Sequence, residues 1–376
     1  MFDVLFSIAI SFAITFLAIP VIITVAERKK LFDIPDERKI HQSPIPSLGG
    51  LGIFAGFILA SLIAIPFHLA SEFQYFFAAA FVIFFLGLKD DILVISPIKK
   101  FIGQVLAAFL IIYKGNIQIR SMHGFLGIYE LPEMFSLLLT YLTIIVIINS
   151  FNLIDGIDGL AGSLGLMAAT VFGFYFLQVE MPTYAILAFS LAGSLAAFLI
   201  FNFQPAKVFM GDTGSLLIGL VNAILVVKFI NVANSAEVPY PIVAAPAIGF
   251  AILVIPLLDT LRVFAIRIFH RRSPFSPDRN HVHHLLLDKG LSHKSIALTL
   301  VSINLLFIVA AYLARHLGCT PVILSIVGIF FIGIAALYYT RHRARLFVAK
   351  SVDPEAELKT SKIVPLTKDT ILEHKN

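Results

Sequence analysis

The chain has little charge, almost no cysteine and nothing that marks a cleaved leader. Only 14% of its 376 residues are Asp, Glu, Lys or Arg, while 59% are hydrophobic. Soluble domains carry about 25% charged residues. Too little polar surface remains for a large soluble fold, so that reading fails. The single cysteine, Cys319, excludes an internal disulfide and leaves no cysteine pattern for a metal site. The first apolar run has no basic flank before it and no small-residue cleavage signal after it, so it reads as a retained helix. No internal repeat is visible, which disfavours transporter folds built from duplicated halves.

What the chain does have is long apolar runs, with a mean hydropathy of +0.93. Eleven are read as spans: Val4–Ala26, Leu48–Phe67, Phe73–Leu88, Phe101–Tyr113, Phe135–Phe151, Leu160–Leu177, Tyr184–Phe203, Ser215–Ile230, Ile242–Ile266, Ile296–Ala314 and Val322–Tyr339. The pattern predicts an all-α, polytopic integral membrane protein with about 11 transmembrane helices. Threading these runs alternately across a bilayer puts 23 of the 28 Lys and Arg on one side, three on the other and two, Lys228 and Arg262, inside spans. The positive-inside rule makes the rich side cytoplasmic and predicts the N-terminus outside and the C-terminus cytoplasmic. Without the tail the bias is still 15 to three. Topology therefore explains the net charge of +5 better than nucleic-acid binding does. Residues 1–340 are expected to form the transmembrane catalytic domain. Residues 341–376, opening with Arg341, Arg343 and Arg345, are expected to be a mobile basic cytoplasmic tail at the anionic headgroups.

Four polar clusters emerge on that cytoplasmic side. Asp90-Asp91 follows an apolar run almost directly. Adjacent carboxylates at a membrane boundary are costly unless paired, hydrated or bound to a cation. Mg²⁺ with substrate phosphates would use such a pair, and an interfacial helix end is the plainer alternative. Asn149-Ser-Phe-Asn152-Leu-Ile-Asp155-Gly156-Ile-Asp158-Gly159 places polar residues every three positions, starting inside an apolar run. Such neighbours lie close on a helix, and the two Asp-Gly steps allow a turn and close backbone approach to a ligand. Phe209-Met210-Gly211-Asp212-Thr213-Gly214-Ser215 opens the next run. Helix N-termini favour phosphates. Asp212 would repel a bare phosphate and suits the cation that neutralises one, although an ordinary helix cap is also compatible. His281-Val282-His283-His284 sits in the largest internal cytoplasmic loop, after Arg271, Arg272 and Arg279. Three imidazoles fit zinc, but the arginines and carboxylates fit a polyphosphate better.

Together these motifs resemble the polyprenyl-phosphate N-acetylhexosamine-1-phosphate transferase family. The resemblance runs from Ser43-Pro-Ile-Pro-Ser-Leu-Gly-Gly50 through Asp90-Asp91 with Ser96, Pro97 and Lys100, then Asn149–Leu160, Asn202, Pro205 and Phe209–Ser215, to Asp278–His284. It implies a Mg²⁺-dependent reaction, with Mn²⁺ as a substitute, at the cytoplasmic face of the bacterial cytoplasmic membrane. A polyprenyl (undecaprenyl) phosphate attacks the sugar-linked phosphate of a UDP-sugar, UMP leaves, and a lipid-diphospho-sugar remains to start a cell-envelope polysaccharide. On the same grounds Asp212 is the first choice of metal ligand, assisted by Asp91, and Asp90 orients or deprotonates the lipid phosphate. Asn152, Asp155 and Asp158 are expected near the nucleotide and metal, and Asn149, Asn202 and Lys100 are expected among the substrate-binding residues. Phe209 stacks on uracil and Asp158 reads its polar edge. Arg279, His281, His283 and His284 contact diphosphate or sugar, with His281 in the catalytic set.

The histidine run interrupted by Val282 resembles the UDP-N-acetylglucosamine branch. Another UDP-N-acetylhexosamine and the muramoyl-pentapeptide donor remain the alternatives. Outside enzymes, an ion-coupled transporter or a membrane scaffold would also hold membrane carboxylates, though a transporter site usually lies at the midplane. The uninterrupted apolar faces leave room for a homodimer.

Overall fold

The computed structural model describes residues 1–29, 31–33, 45–68, 70–235, 237–271 and 280–340. The Ser43-Pro44 step, Asp278, Arg279 and the basic tail lie outside the described residues. Among the described residues the regular structure is helical apart from two short antiparallel pairs, β1 (Phe32–Asp33) with β2 (Ile45–Pro46) and β3 (Ser121–Phe125) with β4 (Ile128–Glu130).

Every apolar run becomes a helix or a helix pair. In chain order they are α1 (Phe2–Lys29), α2 (Gly49–Ala64), α3 (Phe73–Ile92), α4 (Pro97–Phe109, continued by a π turn over Leu110–Lys114), α5 (Glu133–Ile154), α6 (Leu160–Gln178), α7 (Pro182–Asn202), α8 (Gly211–Ala233), α9 (Ala245–Ile252) with α10 (Val254–Phe269), the short α11 (Val282–Leu287), α12 (His293–Leu313) and α13 (Cys319–Tyr339). Among the described residues, seven helices are long and apolar enough to cross a membrane, or eight if α9 and α10 together make one span. The protein is thus an all-α polytopic membrane protein.

α8 is the most enclosed of these spans and α1 the least. A helix that is apolar all round belongs in a core, and α8 fits that pattern. Small residues let its neighbours close in. A side chain at Gly50 of α2 or Gly87 of α3 would strike the α8 backbone at Thr213–Gly214. Close backbone approach through small residues is the usual packing device where lipid removes the hydrophobic drive between helices.

The ninth run, Ile242–Ile266, is not one straight helix. α9 and α10 meet at 80°. Pro256 explains the break, because it has no N–H for the Ile252 carbonyl and its ring would clash with that carbonyl in a straight helix. Asn304 on α12 takes over the freed groups. Its Nδ2 donates to the carbonyls of Ala251 and Ile252, both at 3.1 Å, and its Oδ1 accepts the Ile255 amide at 3.2 Å. The bend aims α10 at the segment that carries the histidines.

Candidate active site

The start of α8 is held by two other parts of the chain. The Phe209 amide donates to the Pro46 carbonyl (2.7 Å), and the Gly49 and Gly50 amides donate to the carbonyls of Phe209 and Met210 (2.9 and 2.8 Å). Gly211 then turns the chain with φ +70°, where any side chain would meet the Ser47 carbonyl and the Asp91 carboxylate. Asp91, at the end of α3, caps the helix that follows. Its Oδ1 accepts the Asp212 amide at 2.6 Å, and its Oδ2 accepts the Thr213 amide at 3.0 Å and the Thr213 hydroxyl at 2.5 Å. First-turn amides have no partner inside their own helix, so a carboxylate there satisfies them and matches the helix dipole. The structure therefore uses Asp91 to place Asp212. A ligand role for Asp91 rests on the resemblance alone.

Lys100, on α4, spans the two carboxylates nearest to it. Its ammonium lies 2.5 Å from Asp90 Oδ2 and 2.6 Å from Asp212 Oδ2. Asp90 Oδ1 accepts the Ile95 amide at 2.8 Å. Asp212 Oδ1 accepts from Asn152 Nδ2 at 2.9 Å, and Asn152 also donates to Ser215 at 3.0 Å. Asn149, one turn earlier on α5, pairs with Gln104 of α4 in both directions. Four helices, α3, α4, α5 and α8, thus bring one cation and two carboxylates together.

The α5–α6 turn lies beside this group. Asn202 holds it by accepting the Gly159 amide (2.9 Å) and donating to the Val208 carbonyl (2.9 Å). Asp158 is buried, accepts the Ala206 amide at 3.3 Å and lies 3.3 Å from His293 Nδ1. Burial pushes the Asp155 carboxyl up to about 8, helped by the negative charges of Asp212, Asp91 and Asp158.

His283 packs against Gly156 of the same turn, leaving no room for a side chain there. Its ring is buried, and burial pushes its pKa down to about 3, with His284 alongside adding to the effect. The rings of His281 and His283 are parallel at 5.6 Å, and those of His283 and His284 lie 4.3 Å apart. His281 Nδ1 is 2.8 Å from Asp259 Oδ2 on α10.

The clusters read from sequence therefore meet at one end of the helix bundle, joined by hydrogen bonds or direct packing. Sequence reasoning missed Gln104, Asp259 and His293. Asp259 and Gln104 had one available signal, a polar side chain inside an apolar run. His293 had none, because a histidine beside a helix start is common.

Among the described residues, no group of three or more His, Cys, Asp or Glu could hold a metal ion by itself. Zinc in the histidine segment therefore has no support. Mg²⁺ commonly takes one or two carboxylates and completes its shell with waters and substrate phosphates. Asp90 and Asp212 share a single ammonium, Lys100, with Asn152 on the other Asp212 oxygen, so the residues present fit a divalent cation that would complete its shell with substrate phosphates.

Residues 73–230 match the family described as glycosyl transferase family 4. The chain is 33% identical over 308 residues to the decaprenyl-phosphate N-acetylglucosaminephosphotransferase of Mycobacterium leprae, covering 76% of this chain and 77% of the relative. It is 31% identical to the probable undecaprenyl-phosphate N-acetylglucosaminyl 1-phosphate transferase of Bacillus subtilis, covering 82% and 85%. It is 34% identical to the undecaprenyl-phosphate alpha-N-acetylglucosaminyl 1-phosphate transferase of Haemophilus influenzae, covering 79% and 83%. With that identity spread over most of both chains, and with its motifs assembled at one site, the protein belongs to glycosyl transferase family 4, in the polyprenyl-phosphate N-acetylhexosamine-1-phosphate transferase group.

Proposed function

We propose that this protein transfers N-acetylglucosamine-1-phosphate from UDP-N-acetylglucosamine to undecaprenyl phosphate, releasing UMP. The observation that carries the reading is the Asp90–Lys100–Asp212 bridge beside the Asp155–Asp158 turn, a charge cluster of the kind phosphoryl transfer needs. The names of the relatives support the acetylglucosamine donor and the polyprenyl acceptor.

In the reaction, an oxygen of the lipid phosphate bonds to the phosphorus that carries the sugar. The bond from that phosphorus to the bridging oxygen of UMP breaks, and UMP departs with the electron pair. A phosphate monoester has its second pKa near roughly 6 and is mostly dianionic at neutral pH. The nucleophile needs little base catalysis, so positioning and charge neutralisation dominate. Asp90 and Lys100 orient the lipid phosphate. Lys100 also offsets negative charge as it moves toward the leaving phosphate. Phe209 stacks on uracil, Asp158 reads the edge of the base, and the histidine segment faces diphosphate and sugar. Asp212 would hold Mg²⁺, which would supply further charge neutralisation at the phosphates.

The eleven-span topology, with the N-terminus outside, the site at the cytoplasmic face and the C-terminus in the cytoplasm of a bacterium, completes the reading. The charge bias between the loops supports it.

The test is product formation by purified protein from undecaprenyl phosphate and labelled UDP-N-acetylglucosamine, with and without Mg²⁺. A Mg²⁺-dependent lipid-diphospho-sugar with equimolar UMP is expected. Product only from another UDP-sugar would keep the reaction and change the donor. Anion uptake into proteoliposomes without any lipid product would overturn the enzyme reading.

A further inference from the structure

Asp259 is wholly buried in α10, inside the apolar run Ile242–Ile266, whose one other charged residue is Arg262. Three consecutive residues of the histidine segment hang on it and on its neighbour Arg262. Asp259 Oδ1 accepts the Val282 amide at 2.9 Å and Arg262 Nη2 at 2.7 Å, while Oδ2 faces His281 Nδ1 at 2.8 Å. Arg262 Nη2 also donates to the Asn280 carbonyl, and Nη1 donates to the Tyr338 hydroxyl of α13 at 3.2 Å.

A buried ion pair is a poor way to gain stability, since apolar residues of similar volume often do as well. Its partners here say more than its energy does. A carboxylate that accepts from both a guanidinium and an amide is ionised, and an ionised carboxylate can only accept. The proton between Asp259 and His281 therefore sits on Nδ1. That leaves Nε2 as the ring nitrogen for a ligand, the same division of labour that a carboxylate imposes on a catalytic histidine elsewhere.

We propose that Asp259 is the positioning residue for His281, fixing the imidazole with its proton on Nδ1 and reserving Nε2 for the sugar-phosphate donor. The assignment of the donor rests on the proposed transferase reading. The hydrogen bond and the tautomer do not. Arg262 has the supporting role of holding Asp259 ionised and tying Asn280 to the same point, so that His281 is fixed from both sides along the chain.

The experiment is a double-mutant cycle on the full-length protein in detergent, with undecaprenyl phosphate and UDP-N-acetylglucosamine as substrates. Asp259→Asn is expected to lower kcat on the order of 10²-fold while the KM for the UDP-sugar changes by less than about threefold. His281→Gln should do the same, and the double variant should be no worse than either single variant. Losses that multiply would overturn the proposal, because Asp259 would then act independently of His281. A higher KM with unchanged kcat would also overturn it. A second measurement needs neither turnover nor a folded Asp259 variant. In [15N]histidine spectra of the wild-type protein, the signal that disappears in His281→Gln should report protonation on Nδ1. A neutral ring protonated on Nε2 would overturn the assignment. Wild-type protein without product but with the Nδ1 proton would sink the transferase reading and leave the Asp259–His281 relation standing.

Discussion

The carboxylate of Asp91 accepts the backbone amide of Asp212 at 2.6 Å, across 121 residues of sequence. One member of the adjacent acidic pair is thereby built into the start of α8, and the other is left facing Lys100. The two aspartates that look equivalent in sequence have different tasks. Asp91→Ala leaves three donors of the first turn without a partner, and losing such a cap costs about 1–3 kcal/mol. Asp90→Asn keeps an acceptor for the Ile95 amide and loses only a partly exposed ion pair. Asp91→Ala is therefore expected to melt several degrees below Asp90→Asn in detergent. Equal melting temperatures would mean that the cap is not needed.

Asp212→Asn keeps the size of the side chain and an acceptor for Asn152, but removes the charge that pairs with Lys100. Turnover is expected to fall on the order of 10²-fold or more while insertion and folding are retained, because charge placement dominates this chemistry. Product assays and a melting curve on the same preparation decide it. Near-wild-type turnover would overturn the proposed metal role of Asp212.

Phe209→Ala should act through the ring alone. The contacts that hold this segment, to Pro46 and Gly49, are made by the Phe209 backbone and survive truncation. The KM for the UDP-sugar is expected to rise about tenfold, as loss of a base-stacking ring typically weakens binding by ~1–3 kcal/mol. The KM for the lipid phosphate should hardly move. Equal changes for both substrates would argue against stacking on uracil.

His283 makes stability depend on pH. In the folded protein, burial holds its pKa down to about 3, against 6.5 for a free imidazole. Above 6.5 neither state binds the proton, so the native state incurs no penalty. As the pH falls below 6.5 the unfolded chain takes up the proton first, and stability declines until the pH reaches the folded pKa near 3. At pH 5 the loss is about 2 kcal/mol. Denaturant unfolding at pH 7.5 and pH 5, compared between wild type and His283→Gln, isolates this contribution. The wild type should lose more stability over that interval than the variant. Identical losses would show that the ring charges freely where it sits.

Much of this architecture was legible before any coordinates. Apolar runs mark helices because a bilayer demands both length and low polarity, and each predicted run has its helix. The polar clusters were legible because ionisable residues at the ends of such runs are expensive without a task. Asp259 was hidden by its surroundings, since one acid among apolar residues hardly changes a run that still reads as a span. Pro256 is the one sequence mark of the bend, and inside a run of spanning length it is equally compatible with a single helix. Gln104 shows only as a polar side chain inside an apolar run and His293 carries no signal, because their partners Asn149 and Asp158 are 45 and 135 residues away in sequence.

The sequence alone determined the membrane class, the position of the helices and the family of chemistry, because composition and local motif depend only on neighbours along the chain. The tertiary structure alone decided which carboxylate caps and which faces Lys100, where the ninth run breaks, and which buried acid holds the first histidine. Those outcomes depend on hydrogen bonds between segments far apart in sequence, and a carboxylate's role follows from which donors reach it first.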